Sequence, residues 1–168
     1  VCVCVCEWIL VYLAEKAGKL LPLELHKKYT VIQWLVFQIS HLGPVCGQAH
    51  HFREAAPERV PYAMTHFTRE AGRLYALMDN KLLKTTYLAG EEYSIADIAC
   101  WPWVRVHRYH GQAWEEFPRL KRWFEQIAER PAVQAGMNLL AQKRAKTRDI
   151  LNQNSREILF GKTQMKRH

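Results

Sequence analysis

Apolar side chains recur every three or four positions along most of this chain, and nothing beyond Val1–Cys6 alternates with period two over a useful length. A sheet needs the second pattern and an amphipathic helix the first, so the chain is all-α. One run, Trp8 to Lys19, carries Ile9, Leu10, Leu13, Ala14 and Ala17 at helical spacing. Gly18 supplies its stop and Pro22 bars continuation. A longer stretch runs from Leu25 to about Phe52, with Val31, Ile32, Leu35 and Ile39 among its apolar positions and a kink or break expected at Gly43-Pro44. Pro57 opens a third helix through Met64, Phe67, Ala71, Leu74, Leu77, Met78 and Leu82.

The sharpest local signal is Ser94-Ile95-Ala96-Asp97. Ser at an N-cap accepts from the amide at N3, and Asp97 at N3 reaches back to the Ser94 amide. The helix it opens continues through Ile98, Trp101 and Val104, with Pro102 inside it. Pro118 starts another helix (Leu120, Trp123, Phe124, Ile127) that stops before Pro131. Short helices are expected over 131–141 and 147–153.

A chain of 168 residues suits one domain with a sizeable core. No apolar run reaches the length of a membrane span, and the start has neither the basic region nor the cleavage site of a signal peptide. Five cysteines, three of them in Val1–Cys6 (VCVCVC), make no secreted disulfide framework, so a reducing cytoplasmic setting is expected. The alternating start reads as low complexity ahead of a soft-metal site, for which a fourth nearby ligand is lacking. The net charge of +8 is concentrated at the end, where residues 141–168 hold eight Lys/Arg against Asp149 and Glu157. That tail can draw anions, yet no groove-reading motif accompanies it, so neither nucleic acid nor membrane is expected as a partner.

The order of motifs resembles the C-terminal domain of glutathione transferases. Leu88-Ala89-Gly90 before the Ser94 box, then Pro118-x-Leu120, Trp123 and Arg130-Pro131-Ala132-Val133, follow that family's close. Gln33-Trp34-Leu35, Leu42-Gly43-Pro44, Gly47-Gln48-x-His50-His51-Phe52, Ala56-Pro57-Glu58, Pro61-Tyr62-Ala63, the run from Ile95 to Trp103, and Ile158-Leu159-Phe160-Gly161 resemble the bacterial Nu class, whose members reduce disulfides with glutathione. The resemblance implies a thioredoxin-like domain followed by a helical one. Tyr12-Leu13-Ala14-Glu15-Lys16 resembles the last helix of the first. Residues 1–22 are therefore expected to be a remnant of that domain, 23–141 the helical bundle, and 142–168 a basic tail.

The same resemblance supplies the candidate site. Counting back from Tyr12, the family's Glu-Ser pair for the γ-glutamyl end of glutathione falls on Val5 and Cys6, of which Cys6 keeps a weak donor. The family's Arg after Pro61-Tyr62-Ala63 falls on His66, which replaces a bidentate, permanently charged fork by a smaller ring. His41, Pro44, Gln48, His51 and Trp101 are expected to wall the substrate pocket, and Ser40-His41, standing where relatives carry Gly-Gly, narrows it. Glutathione is the implied co-substrate, a small electrophile or disulfide the second substrate, and a homodimer the implied assembly. No catalytic residue is assigned, since the elements that activate the thiol in the family lie upstream.

His41, His50, His51, His66, His107 and His110 suggest metal binding, but no carboxylate sits at metalloprotease spacing and structural histidines are the plainer reading; no metal is expected. Cys46 and Cys100 lie in apolar surroundings without a charge to lower their pKa. Two functional readings stay open: a truncated glutathione-dependent enzyme with impaired glutathione binding, and a non-catalytic helical module for protein interaction.

Overall fold

The structure, a computed structural model, describes residues 6–139. The VCVCVC start, the Cys6 side chain, the end of the 131–141 helix, the helix expected over 147–153 and the basic tail lie outside the described residues. Seven helices order the remainder: α1 (Cys6–Ala17), α2 (Leu25–Phe37), α3 (Gly43–His50), α4 (Pro61–Lys81), α5 (Ile95–Val104), α6 (Pro118–Ala128) and α7 (Pro131–Asn138). Among the described residues there is no strand, only an isolated bridge between Tyr87 and Gly90. The fold is all-α, as the periodicity requires.

α1 carries Glu7 in its first turn and Lys16 in its last, the order that suits a helix dipole. It ends as expected at Gly18, whose φ of +62° lets the Gly18 and Lys19 amides turn back onto the Glu15 and Ala14 carbonyls. Leu20 then adopts φ +66°, and its carbonyl accepts from the Ile95 amide at 3.1 Å. The connection is thereby stitched to the start of α5.

The long helical stretch from Leu25 is interrupted twice rather than kinked once. Widened π turns occupy Gln38–Leu42 and His51–Ala55. Pro44 has no amide proton and its ring crowds the carbonyl four residues back. The chain loosens one turn ahead of it, where the Gly43 N–H reaches the Gln38 carbonyl five residues back. Gly43 is also the point of closest approach. A Cβ there would lie 3.2 Å from the Gln38 side chain and from the Trp103 ring.

α4 begins at Pro61 instead of Pro57. A residue before proline is pushed out of the α region, and both Ala56 (ψ 136°) and Val60 (φ −113°, ψ 89°) are non-helical. The chain bends at 57 and 58, and each proline keeps the residue before it out of the helix. Pro61 then takes the first helical position, where a missing N–H costs nothing.

The core lies where α4, α5 and α6 meet, with α2 and α3 closing the other side. Ala71, Leu74, Tyr75 and Met78 of α4 meet Ile95, Ala96, Cys100 and Val104 of α5 and Leu120, Trp123 and Ile127 of α6, all buried. Two carboxylates are built into it. Asp97 is fully buried and accepts from the Leu88 and Ser94 amides, the Ser94 hydroxyl and Trp123 Nε1 at 2.9–3.2 Å. Ser94 Oγ accepts from the Ala96 amide, completing the box the sequence announces. Asp79 of α4 accepts from the Arg119 and Leu120 amides at 2.8 Å and from the Arg119 guanidinium at 2.9 Å. It therefore caps α6, whose own N-cap residue, Phe117, makes no side-chain cap.

Candidate functional site

His41, Pro44 and Gln48 are exposed, and His51 half-buried, along the α2–α3 stretch. Ser40 Oγ donates to the Val36 carbonyl at 2.6 Å and lies 2.7 Å from His41 Nδ1. That hydroxyl already gives its proton to Val36, so Nδ1 donates to Ser40. The ring itself stacks on Phe37 at 6.2 Å. His41 is thus an exposed ring held by Ser40 and Phe37.

An aromatic string joins His51 to His66. The His51 ring meets Phe52 edge-on at 5.1 Å, Phe52 stacks on Phe67 of α4 at 5.6 Å, and Phe67 meets His66 edge-on at 5.1 Å. His66, exposed, also stacks on Tyr62 at 6.0 Å. The structure therefore brings the end of α3 and the start of α4 together into one band of His and aromatic faces. Such a band offers apolar contact with a few directed polar atoms, the usual make-up of a small-molecule wall.

Trp101 lies elsewhere. It is 7% exposed, donates from Nε1 to the Phe124 carbonyl at 3.1 Å and stacks flat on the Phe124 ring at 5.0 Å. Its neighbours are α6 and α7, and it forms the floor of a separate groove there. Cys6 opens α1.

Several residues that sequence reasoning passed over hold the site in place. With the Gln38 amide set to satisfy both neighbours, its nitrogen donates to Glu7 Oε1 at 2.8 Å and its oxygen accepts from Trp103 Nε1 at 2.9 Å. Gln38 is almost wholly buried, so this relay pins the first turn of α1 to the π turn beneath His41 and to α5. Behind the band, His50 stacks on Tyr109 at 4.7 Å. His110 Nδ1 lies 3.0 Å from the Tyr75 hydroxyl, and His107 Nδ1 donates to the Gln112 carbonyl at 2.9 Å. Burial first, then the nearby His50, His107 and Arg53, lowers the His110 pKa to about 4. These are hydrogen-bonded structural histidines, and among the described residues no group of three His, Cys, Asp or Glu side chains could hold a metal ion. Spacing gave no signal for them, because their partners lie on other helices. Cys46 and Cys100 are fully buried; burial pushes the first thiol up to about 12 and the second well above its ordinary value. Neither can act as a thiolate nucleophile at neutral pH.

The family described as "Glutathione S-transferase, C-terminal domain" matches residues 45–131, just over half of the chain. The chain belongs to the glutathione S-transferase C-terminal domain family. The disulfide-bond oxidoreductase YfcG of Escherichia coli is 45% identical to this transferase domain over 124 residues, covering 74% of the chain and 58% of the relative. The disulfide-bond oxidoreductase YghU of the same organism is 38% identical over 136 residues, covering 76% of the chain and 47% of the relative. A solved glutathione transferase of Burkholderia graminis, with two glutathione molecules bound per subunit, superposes with a TM-score of 0.75 at 34% identity, over 79% of this chain and 58% of its own. The transferase domain thus spans about half the length of the curated relatives it matches.

Proposed function

We propose that this chain is the helical half of a glutathione-dependent disulfide-bond reductase or transferase of the Nu class, and that glutathione is its co-substrate. His41, Pro44, Gln48 and His51 line the pocket for a small disulfide or electrophile and Cys6 and His66 stand at the glutathione end, while Trp101, which was expected in that wall, packs on Phe124 in a separate groove. Residues 1–22 are the remainder of a thioredoxin-like domain, 23–141 the helical domain and 142–168 a basic tail. The protein works in the cytoplasm as a homodimer. The observation that carries this reading is the His51-to-His66 aromatic string, in a chain 45% identical to a disulfide-bond oxidoreductase.

Calorimetric titration of the 168-residue chain with glutathione tests this. Restoring the bidentate fork with His66→Arg should tighten binding roughly tenfold, the worth of one added charge-assisted contact. Tight binding that ignores both His66→Arg and His41→Ala would contradict the assignment. A folded His66→Arg chain with no affinity at all would favour the second reading, a non-catalytic interaction module. That reading has its own support in α1, which exposes Trp8, Ile9, Tyr12 and Leu13 along its length. Light scattering with a dye that reports apolar surface separates the two, since the module needs that face free to bind.

A further inference from the structure

A cavity of about 820 Å³ opens where the α1–α2 connection meets the loop ahead of α5. The seam between the two segments is the 3.1 Å bond from the Ile95 amide to the Leu20 carbonyl. Leu21 and Val31, both buried, and the half-buried Ala89 give the cavity an apolar floor, which the exposed Leu20 and the Tyr93 side chain extend towards solvent. The Tyr93 ring is held by the Arg130 guanidinium, 3.8 Å from its centre. Leu20 keeps a left-handed backbone, φ +66°, which a side chain resists, so the fold carries strain at this edge.

The charges lining the cavity are divided between the two segments. Lys19 and Lys27 come from the connection and α2, Glu91 and Glu92 from the loop. Lys27 is taken up by Glu24 at 3.0 Å, and Glu91 accepts from Thr86 Oγ1 at 2.7 Å. Lys19 and Glu92, both exposed, have no ion pair among the described residues. The Glu24 carboxylate raises the Lys27 pKa and Glu92 adds to it, so the two sides lie within electrostatic reach of each other. Among the described residues, no hydrogen bond uses the backbone of 21–23 or 91–93.

We propose that this cavity binds a short apolar peptide with free ends, its ammonium group against Glu91 and Glu92 and its carboxylate against Lys19. The volume falls within the range of pockets that bury small ligands, roughly 300–1,000 Å³. A fatty acid or an alkyl amine pairs with one side only and leaves the charge on the other facing an apolar body. A peptide meets both charges and covers the floor with its side chains. Its own amides then pair with the two open backbone runs, as an added strand does. The site does not depend on the glutathione reading: Val31 stands ten positions before His41 in the same helical stretch, about 15 Å along it.

Titration of the intact chain with trileucine, followed through its amide resonances, tests this. Saturable shifts should fall on Val31, Ala89 and Glu92, with His41 and Gln48 unmoved. Acetylating the peptide amine, or amidating its carboxylate, should each weaken binding about threefold, the worth of an exposed ion pair. The double variant Glu91→Gln/Glu92→Gln should cost the free peptide the same factor, after which acetylation adds nothing; Lys19→Ala should stand in that relation to amidation. Glycine suits the left-handed backbone, so Leu20→Gly should leave the unfolding midpoint nearly unchanged. It removes an apolar side chain from the cavity and should weaken trileucine about tenfold. The proposal is overturned by the absence of saturable shifts, or by shifts centred on His41 and Gln48. An acetylation penalty that survives Glu91→Gln/Glu92→Gln, or affinity untouched by Leu20→Gly, overturns it as well.

Discussion

The junction of α4, α5 and α6 and the outer face of the α2–α3 stretch handle polar groups in opposite ways. At the junction every polar atom of the two buried carboxylates is occupied. Asp97 receives four hydrogen bonds from three segments, and Asp79 receives three from α6. Burial pushes the Asp97 pKa up, and its donors pull it back part of the way. Along the outer face, His41 and Gln48 are exposed, and π turns at Gln38–Leu42 and His51–Ala55 flank the α3 helix that carries Gln48. A buried carboxylate without donors would cost more than the fold can spare, whereas an exposed imidazole costs almost nothing. The junction therefore carries the stability of the domain, and the outer face is free to serve a ligand.

The largest break in that contrast should come from Asp97→Ala. It strands the Leu88 and Ser94 amides and Trp123 Nε1 in the core, a loss of about 3–5 kcal/mol in denaturant unfolding. Asp79→Ala should follow at about 2–3 kcal/mol, since two amides of α6 and the Arg119 guanidinium lose their acceptor together. A smaller effect, of about 2 kcal/mol, should appear on acidification. His110 binds its proton at about pH 4 in the fold, against an ordinary value near 6.5. The unfolded chain then takes up the proton first, so the His110 contribution is complete above about pH 6.5 and is lost as pH falls towards 4. The pH dependence of unfolding measured for His110→Gln should lack that component, although the Tyr75 contact changes too. His41→Ala and Gln48→Ala should shift stability by no more than about 0.5 kcal/mol, as exposed substitutions do. If either destabilised the domain as much as Asp79→Ala, the division between the two regions would fall.

The sequence carried the first region better than the second. Ser94 and Asp97 are three apart, so their pairing is local and visible, whereas the Trp123 and Leu88 bonds to the same carboxylate are not. Asp79 gives no local sign of its role, because the helix it caps begins forty residues later. Pro44 announces a disturbance, but whether a helix kinks or widens depends on what packs around it, here Gln38 and Trp103. Pro57 reads as a helix start, and only the non-helical backbone at Val60 moves that start to Pro61. In the candidate site, the resemblance named His41, Pro44, Gln48, His51 and His66. The ring contacts that join the last two run through Phe52 and Phe67 and could not be read from spacing.

Native-state hydrogen exchange, residue by residue, measures the contrast itself. The amides of Leu88, Ser94, Arg119 and Leu120 should exchange only with global unfolding, while those of the turns at 38–42 and 51–55 should open locally at least about tenfold more often. Equal protection across both regions, or stronger protection in the two turns, would contradict the claim that the α4–α6 junction holds the fold and leaves the α2–α3 face to a ligand.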